Sequence, residues 1–294
     1  MRPALVLAAL VLALLAPPAL AQPQLTTPRA SPHATVTQTV GLTELSVDYH
    51  RPAVGGRTVW GSLVPYGEVW RAGANENTVF ETSTAITVEG EALPAGRYGL
   101  HMIPTDGDWT VIFSEMASAW GSFTYDPAED ALRVTVTPRD GALQERLSFR
   151  FDAPTDTTVT LVLGWDRLDV PVAITVDTPQ VVLASMEREL RGMAGFFWEG
   201  WHQIAAYALD QGLRLDDALG WAERSIDRTP TFANLMTRAS LLDAHGRADE
   251  AAQSRDQAFA LASPDDVRAY ARSRRRAGFA ADADAALARL ADRP

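Results

Sequence analysis

From residue 31 to about residue 177, apolar and polar positions alternate in short runs that end at Gly, Pro or Asp. Alternation with period two sends successive side chains to opposite faces, so each run predicts a half-buried strand. The runs cover 33–40, 43–50, 79–88, 96–103, 109–114, 132–137, 145–151, 158–165 and 170–176. Short strands spaced by turns predict an antiparallel β-sandwich. From Pro179 onward the period changes to helical spacing in alanine-rich segments. The pattern therefore predicts an α+β protein with segregated domains, a sandwich at 31–177 and an all-α region of helical hairpins at 178–294.

The first hairpin can be registered from its letters. Ala34, Val36 and Val40 share one face of the first run, and Leu45, Val47 and Tyr49 share one face of the second. Gly41-Leu42 suits a two-residue turn with glycine first. Pairing Val40 with Thr43 then sets Val36 against Val47 and Ala34 against Tyr49. Both apolar faces coincide, and a slip by one residue would turn one of them outward. The polar face sets His33 across from His50 and Thr35 across from Asp48. Two histidines and a carboxylate make His33 and His50 candidate metal ligands, against the plainer reading of a solvated polar face. Further along, Tyr98, Leu100 and Met102 face the core with Trp109, Val111 and Phe113, which leaves His101 on the opposite side near a strand end. A histidine there can serve as a general base or as a hydrogen-bonded structural residue.

In the helical part, Phe197, Trp201, Ile204 and Ala208 recur at helical spacing, and further helices are predicted over 217–228, 231–245, 248–261, 265–277 and 280–291. Ala218 and Ala251 stand 33 residues apart, and Pro230 and Pro264 stand 34 apart. That period resembles tetratricopeptide repeats, although His202 and Leu235 occupy the early tryptophan position. Such hairpins can cradle a protein or peptide partner or simply pack against the sandwich. Phe196, Phe197, Trp198 and Trp201 are expected to form the core between the two parts. The run Arg272, Arg274, Arg275 and Arg276 reads as a solvated helix face or as a site for an acidic partner.

Composition removes several chemistries. The chain has no cysteine, and lysine is absent, so all 26 basic residues are arginine. Disulfides, thiol nucleophiles, Schiff-base lysines and a P-loop lysine are excluded. A net charge of −11 opposes binding to nucleic acid and to anionic membrane surfaces. Met1 to Ala21 carries one arginine, an apolar run and small residues at Ala19 and Ala21, which reads as a secretory signal peptide followed by a linker over 22–30. The run is too short for a membrane span of about 20 residues. The mature protein is expected to be exported, periplasmic or extracellular, with no membrane span. No G-x-S-x-G, H-E-x-x-H, G-x-G-x-x-G or calcium-loop pattern occurs, and no cofactor is expected.

One stretch resists reading as ordinary strand or helix. Between residues 51 and 78 the chain gathers Arg51, Arg57, Arg71, Trp60, Trp70 and Tyr66 among glycines and prolines. Arginine offers a fork of donors to carboxylate or phosphate, and tryptophan faces stack on sugars or cations. Arg51, Arg57, Trp60, Arg71, Asn75 and Glu76 are thus candidate contacts to a polar small molecule or glycan. The rival reading spends the same arginines on holding a long loop together.

The blocks V-D-Y-H-R-P-A-V-G-G-R, W-G-S-L-V-P-Y-G-E-V-W-R-A-G-A-N-E-N-T, L-P-A-G-R-Y-G-L-H-M-I-P, W-T-V-I-F and D-A-L-R-V-T-V appear in this order. Over about 31–176 they resemble the bacterial domain-of-unknown-function 2911 family. The resemblance implies an exported β-rich domain, often followed by a helical tail, and no established activity or catalytic residues. Three functions follow as expectations: a binding or scaffold module using the arginine and aromatic loop, a hydrolase pairing His101 or His50 with Asp48 or Glu76, or a structural envelope protein acting through its helical repeats.

Overall fold

The computed structural model describes residues 27–292. The signal-peptide reading and most of the linker lie outside these residues. Ten strands are described: β1 (His33–Val40), β2 (Thr43–His50), β3 (Val79–Thr82), β4 (Ile86–Val88), β5 (Glu91–Leu93), β6 (Gly96–Ile103), β7 (Trp109–Ser114), β8 (Asp130–Val136), β9 (Arg139–Asp152) and β10 (Thr158–Thr175). They form a six-stranded sheet in the order β1-β2-β3-β6-β7-β8 and a four-stranded sheet in the order β5-β4-β10-β9. All pairings between these ten strands are antiparallel.

The core lies between the sheets. Val47, Phe80, Leu100, Met102, Val111 and Phe113 from the first sheet meet Leu147, Phe149, Leu161, Leu163, Val172 and Ile174 from the second. The hairpin register matches the expected one at every position from His33↔His50 to Val40↔Thr43. Two boundaries differ from the sequence pattern. The run 79–88 breaks into β3 and β4, because Ser83 and Thr84 leave the six-stranded sheet and β4 joins β10 in the other. The runs 158–165 and 170–176 fuse into the single β10, whose register shifts between Gly164 and Leu168 absorb the interrupting polar residues.

Seven α-helices follow among the described residues: α1 (Thr178–Glu189), α2 (Trp198–Gln211), α3 (Leu215–Arg228), α4 (Phe232–Ala244), α5 (Ala248–Leu261), α6 (Pro264–Arg276) and α7 (Ala280–Ala291). The Asp177 carboxylate accepts from the Gln180 N–H, and Pro179 occupies the first turn, so α1 starts where strand residues end. The pairs α2–α3, α4–α5 and α6–α7 are helical hairpins, and the first helices of successive hairpins also touch. Ala205, Ala208, Ala218, Ala222, Ala251 and Ala258 are fully buried, and such small side chains let helix axes approach closely.

The expected aromatic core between the two parts is not found. Phe196 and Phe197 are 74% and 56% exposed, while Trp201 packs within the helical region against α1–α3. Residues 193–196 form a single 3₁₀ turn capped by Phe197, and both phenylalanines stand exposed on it instead of filling a core. Contact between the parts runs instead through Val181, which packs on the sandwich core, and through Thr178, whose hydroxyl donates to the Asp156 carbonyl at 2.6 Å.

Candidate functional site

The loop from 51 to 78 is ordered by three fastenings. Its start is stitched to β9: Leu147 N–H donates to Pro52 O at 3.0 Å, Val54 N–H to Glu145 O at 2.7 Å, and the Arg51 Nε to Leu147 O at 2.9 Å. Arg57 closes a tight turn, donating from Nε to Val54 O at 3.0 Å and from Nη2 to Ala53 O. Near its end Trp70 exchanges two backbone hydrogen bonds of 2.8 Å with Met102, so the loop becomes an extra partner of β6. Trp70 and Ala72 therefore point into the core with Met102, and Arg71, between them, takes the outer face alongside His101.

The three arginines thus divide by role. Arg51 and Arg57 end on backbone carbonyls and hold the loop. Arg71 has a buried Nε with no acceptor, and burial pulls its pKa below the usual guanidinium range. A buried donor left unbonded costs about 1–3 kcal/mol, more when charged, so an unaccompanied arginine is a place where an acceptor belongs. Arg71 lines a cavity of about 370 Å³ together with Arg57, Leu63, Trp70 and Trp165. The cavity floor belongs to a four-tryptophan cluster in which Trp60 lies 4.8 Å from Trp109 and 5.5 Å from Trp165, and Trp70 stacks on Trp165 at 5.9 Å. The indole N–H groups of Trp60 and Trp165 are also buried without partners. Trp60 opens on the far side of the cluster, into a second cavity of about 330 Å³ with Tyr66 and Asp108.

Around Arg71 the outer face of the six-stranded sheet is covered by the segment 115–126. His101 is 2% exposed. Its Nδ1 lies 2.8 Å from the Ser122 hydroxyl, and its ring lies 5.4 Å from Tyr125. Burial pushes the His101 pKa down to about 4, with Asp130 opposing and Arg71 assisting. Tyr125 donates to Asp130 at 2.7 Å, Arg133 bonds the same carboxylate, and the Tyr125 pKa rises to about 12 through burial and that bond. Gly99 makes the cover fit: a Cβ there would stand 2.4 Å from Met116 O, 3.1 Å from the Asn77 amide and 3.2 Å from the His101 Nε2. Gly121 does the same for Arg71, whose Nη1 would lie 3.0 Å from its Cβ. Asn77 Oδ1 and Asp130 Oδ1 are buried without donors. A cationic donor and two acceptors thus lie open within one covered patch.

The other sequence candidates form a separate cluster at the start of β1 and the end of β2. His33 Nε2 lies 2.7 Å from Asp48, and Thr35 donates to the same carboxylate at 2.9 Å. His50 Nε2 lies 3.3 Å from Glu76, which is held by Arg29 at 2.8 Å. Burial lowers the His50 pKa, with Glu76 pulling the other way. The two imidazoles sit 5.3 Å apart. Among the described residues no group of three or more His, Asp or Glu is arranged to hold a metal ion. Asn75 donates to Ser31 O at 3.2 Å. His101 and a histidine–carboxylate pair are therefore in different places, and His101 meets a serine hydroxyl where a carboxylate was expected.

Residues 31–174 match the family described as Protein of unknown function (DUF2911). The match covers the sandwich and stops before α1. No curated protein and no solved structure matches the chain. The matched region contains both the loop and its covered outer face. Asn77, Ser122, Tyr125 and Arg133 were not singled out from the sequence, and Asp130 read, with Asp126 and Glu129, as part of a solvated turn. The polar residues at 122–130 read as a turn, and only the folding of that turn across β6 and β7 brings them to His101.

Proposed function

We propose that the chain is an exported binding protein whose DUF2911 region captures a small polar ligand bearing an acceptor group, with Arg71 as its principal contact. The observation that carries this reading is the buried Arg71 Nε without an acceptor, in a residue that also contributes to the lining of the cavity holding Trp70 and Trp165. A carboxylate, phosphate or acidic sugar would satisfy the guanidinium. Arg57 flanks the opening with part of its fork already committed to the loop. The helical hairpins, in the same reading, are tetratricopeptide-like units that present the sandwich to a partner.

A thermal-shift screen with acetate, citrate, phosphate, sulfate and glucuronate tests the reading. At least one anion is expected to raise the melting temperature of the natural chain and to leave Arg71→Met unchanged. Equal stabilisation of both proteins, or of neither by any of these anions, would argue that Arg71 is architectural.

A further inference from the structure

A second recognition surface lies in the helical region, independent of the Arg71 cavity. A groove of about 340 Å³ runs between α1 and the α2–α3 hairpin, walled by Arg188, Arg191 and Arg224 and floored by Trp201 and Trp221. The one carboxylate in its lining, Glu187, is neutralised by Arg214 at 2.7 Å. Arg188, Arg191 and Arg224 are exposed, and none forms an ion pair among the described residues. By contrast Arg214, Arg247, Arg255, Arg274, Arg275 and Arg289 in the same region each meet a carboxylate. On a chain of net charge −11, three free arginines on one groove form a local positive field against the overall charge.

The groove also has an apolar lip. The Trp201 indole donates to Gly195 O at 2.9 Å, and Arg228 donates to the same carbonyl at 2.9 Å, so the turn at 193–196 is pinned beside the groove. That turn and the residue after it hold out Met193, Phe196 and Phe197, all more than half exposed. Arg224, in the groove wall, and Arg228 each lie 5.0 Å from the Trp201 ring. Arginines without carboxylate partners beside exposed aromatic side chains match a segment that carries acids and a large apolar residue close together.

We infer that this groove docks an acidic peptide segment of a partner protein that also carries an aromatic or aliphatic anchor. The test uses the full chain and a fluorescently labelled, blocked peptide made of aspartate, glutamate, phenylalanine and leucine. A second peptide has asparagine and glutamine in place of the acids. The acidic peptide is expected to bind in anisotropy titrations, more weakly as salt rises, and the amide peptide is expected not to bind. Arg188→Gln with Arg224→Gln should weaken binding by about tenfold or more. Arg272→Gln with Arg276→Gln removes the same charge from exposed positions on α6 and should leave binding unchanged. Far-ultraviolet circular dichroism checks that both double variants keep their helices.

No binding of the acidic peptide, equal binding of the amide peptide, or equal loss in both double variants would overturn the inference. So would two other results. One is concentration-dependent dimerisation lost in the groove variant, which would make a second copy the occupant. The other is sedimentation with phosphatidylserine vesicles, lost in the same variant, without peptide binding.

Discussion

Arg51 and Arg71 are the same residue type in the same loop, and their surroundings give them opposite energetic signs. Arg51 hydrogen-bonds the Leu147 carbonyl, so Arg51→Met removes a charge-assisted bond and is expected to cost about 1–3 kcal/mol. Arg71 has a desolvated Nε with nothing to bond. Arg71→Met is expected to be neutral or stabilising by about 1 kcal/mol in the absence of ligand, as when a poorly compensated buried charge is replaced by a hydrophobe. Urea unfolding of the two variants checks the contrast. His101 adds a pH signature. Its folded pKa of about 4 lies below the ordinary value of 6.5, so the unfolded chain binds the proton first. The stability contributed by burying it neutral is present above pH 6.5 and is lost as the pH falls towards 4. Over that window the loss is about 1.4 kcal/mol per pH unit for one proton. His101→Gln should flatten the decline by close to one proton. His202 is likewise pushed down to about 4 by burial and keeps its own share of the slope.

At the scale of elements, two glycines decide how loops meet sheets. Gly99 lets the backbone of Met116 lie against β6, and a methyl group there would overlap the Met116 carbonyl. Gly99→Ala should lift the 115–126 cover, costing on the order of 1–3 kcal/mol as overpacking does. Faster hydrogen exchange over 115–126, with the rest of the sandwich unchanged, would register it. Gly41 sits at φ +58°, and a Cβ would fall 2.5 Å from the Thr178 side chain, so the β1–β2 turn fits under the start of α1 only without a side chain. How much was legible in the sequence follows the same division. The β1–β2 register was readable because both apolar faces had to coincide. The break between β3 and β4 was not, because Val79 to Val88 keeps its alternation while the chain changes sheets. The exposed Phe196 and Phe197 misled because aromatic residues usually bury. Nothing local in the sequence says that the 3₁₀ turn at 193–196 leaves them exposed. In the loop, residue types drew attention to the stretch, but which arginine was left without an acceptor depended on which backbone carbonyls came within reach.

At the scale of the whole molecule, the sandwich and the helical region have separate cores joined through Thr178 and Val181. So narrow a junction transmits little cooperativity, and calorimetry is expected to resolve two unfolding transitions. Arg71→Met should move only the one belonging to the sandwich. Arg274 is 11% exposed and bonds Asp210 at 2.6 Å and Asp282 at 3.1 Å, which ties α2 to the last hairpin. Part of the arginine run at 272–276 is therefore internal structure. Two recognition surfaces on two loosely joined bodies would let the chain hold a small ligand and a partner together. Among the described residues no helix is long and apolar enough to cross a membrane. Whether Arg71 receives an acceptor is read by calorimetric titration of the best-stabilising anion into the natural chain, Arg71→Met and Arg51→Met. One site per chain is expected, kept in Arg51→Met and weakened by at least about tenfold in Arg71→Met. Equal affinity in the natural chain and Arg71→Met would contradict it.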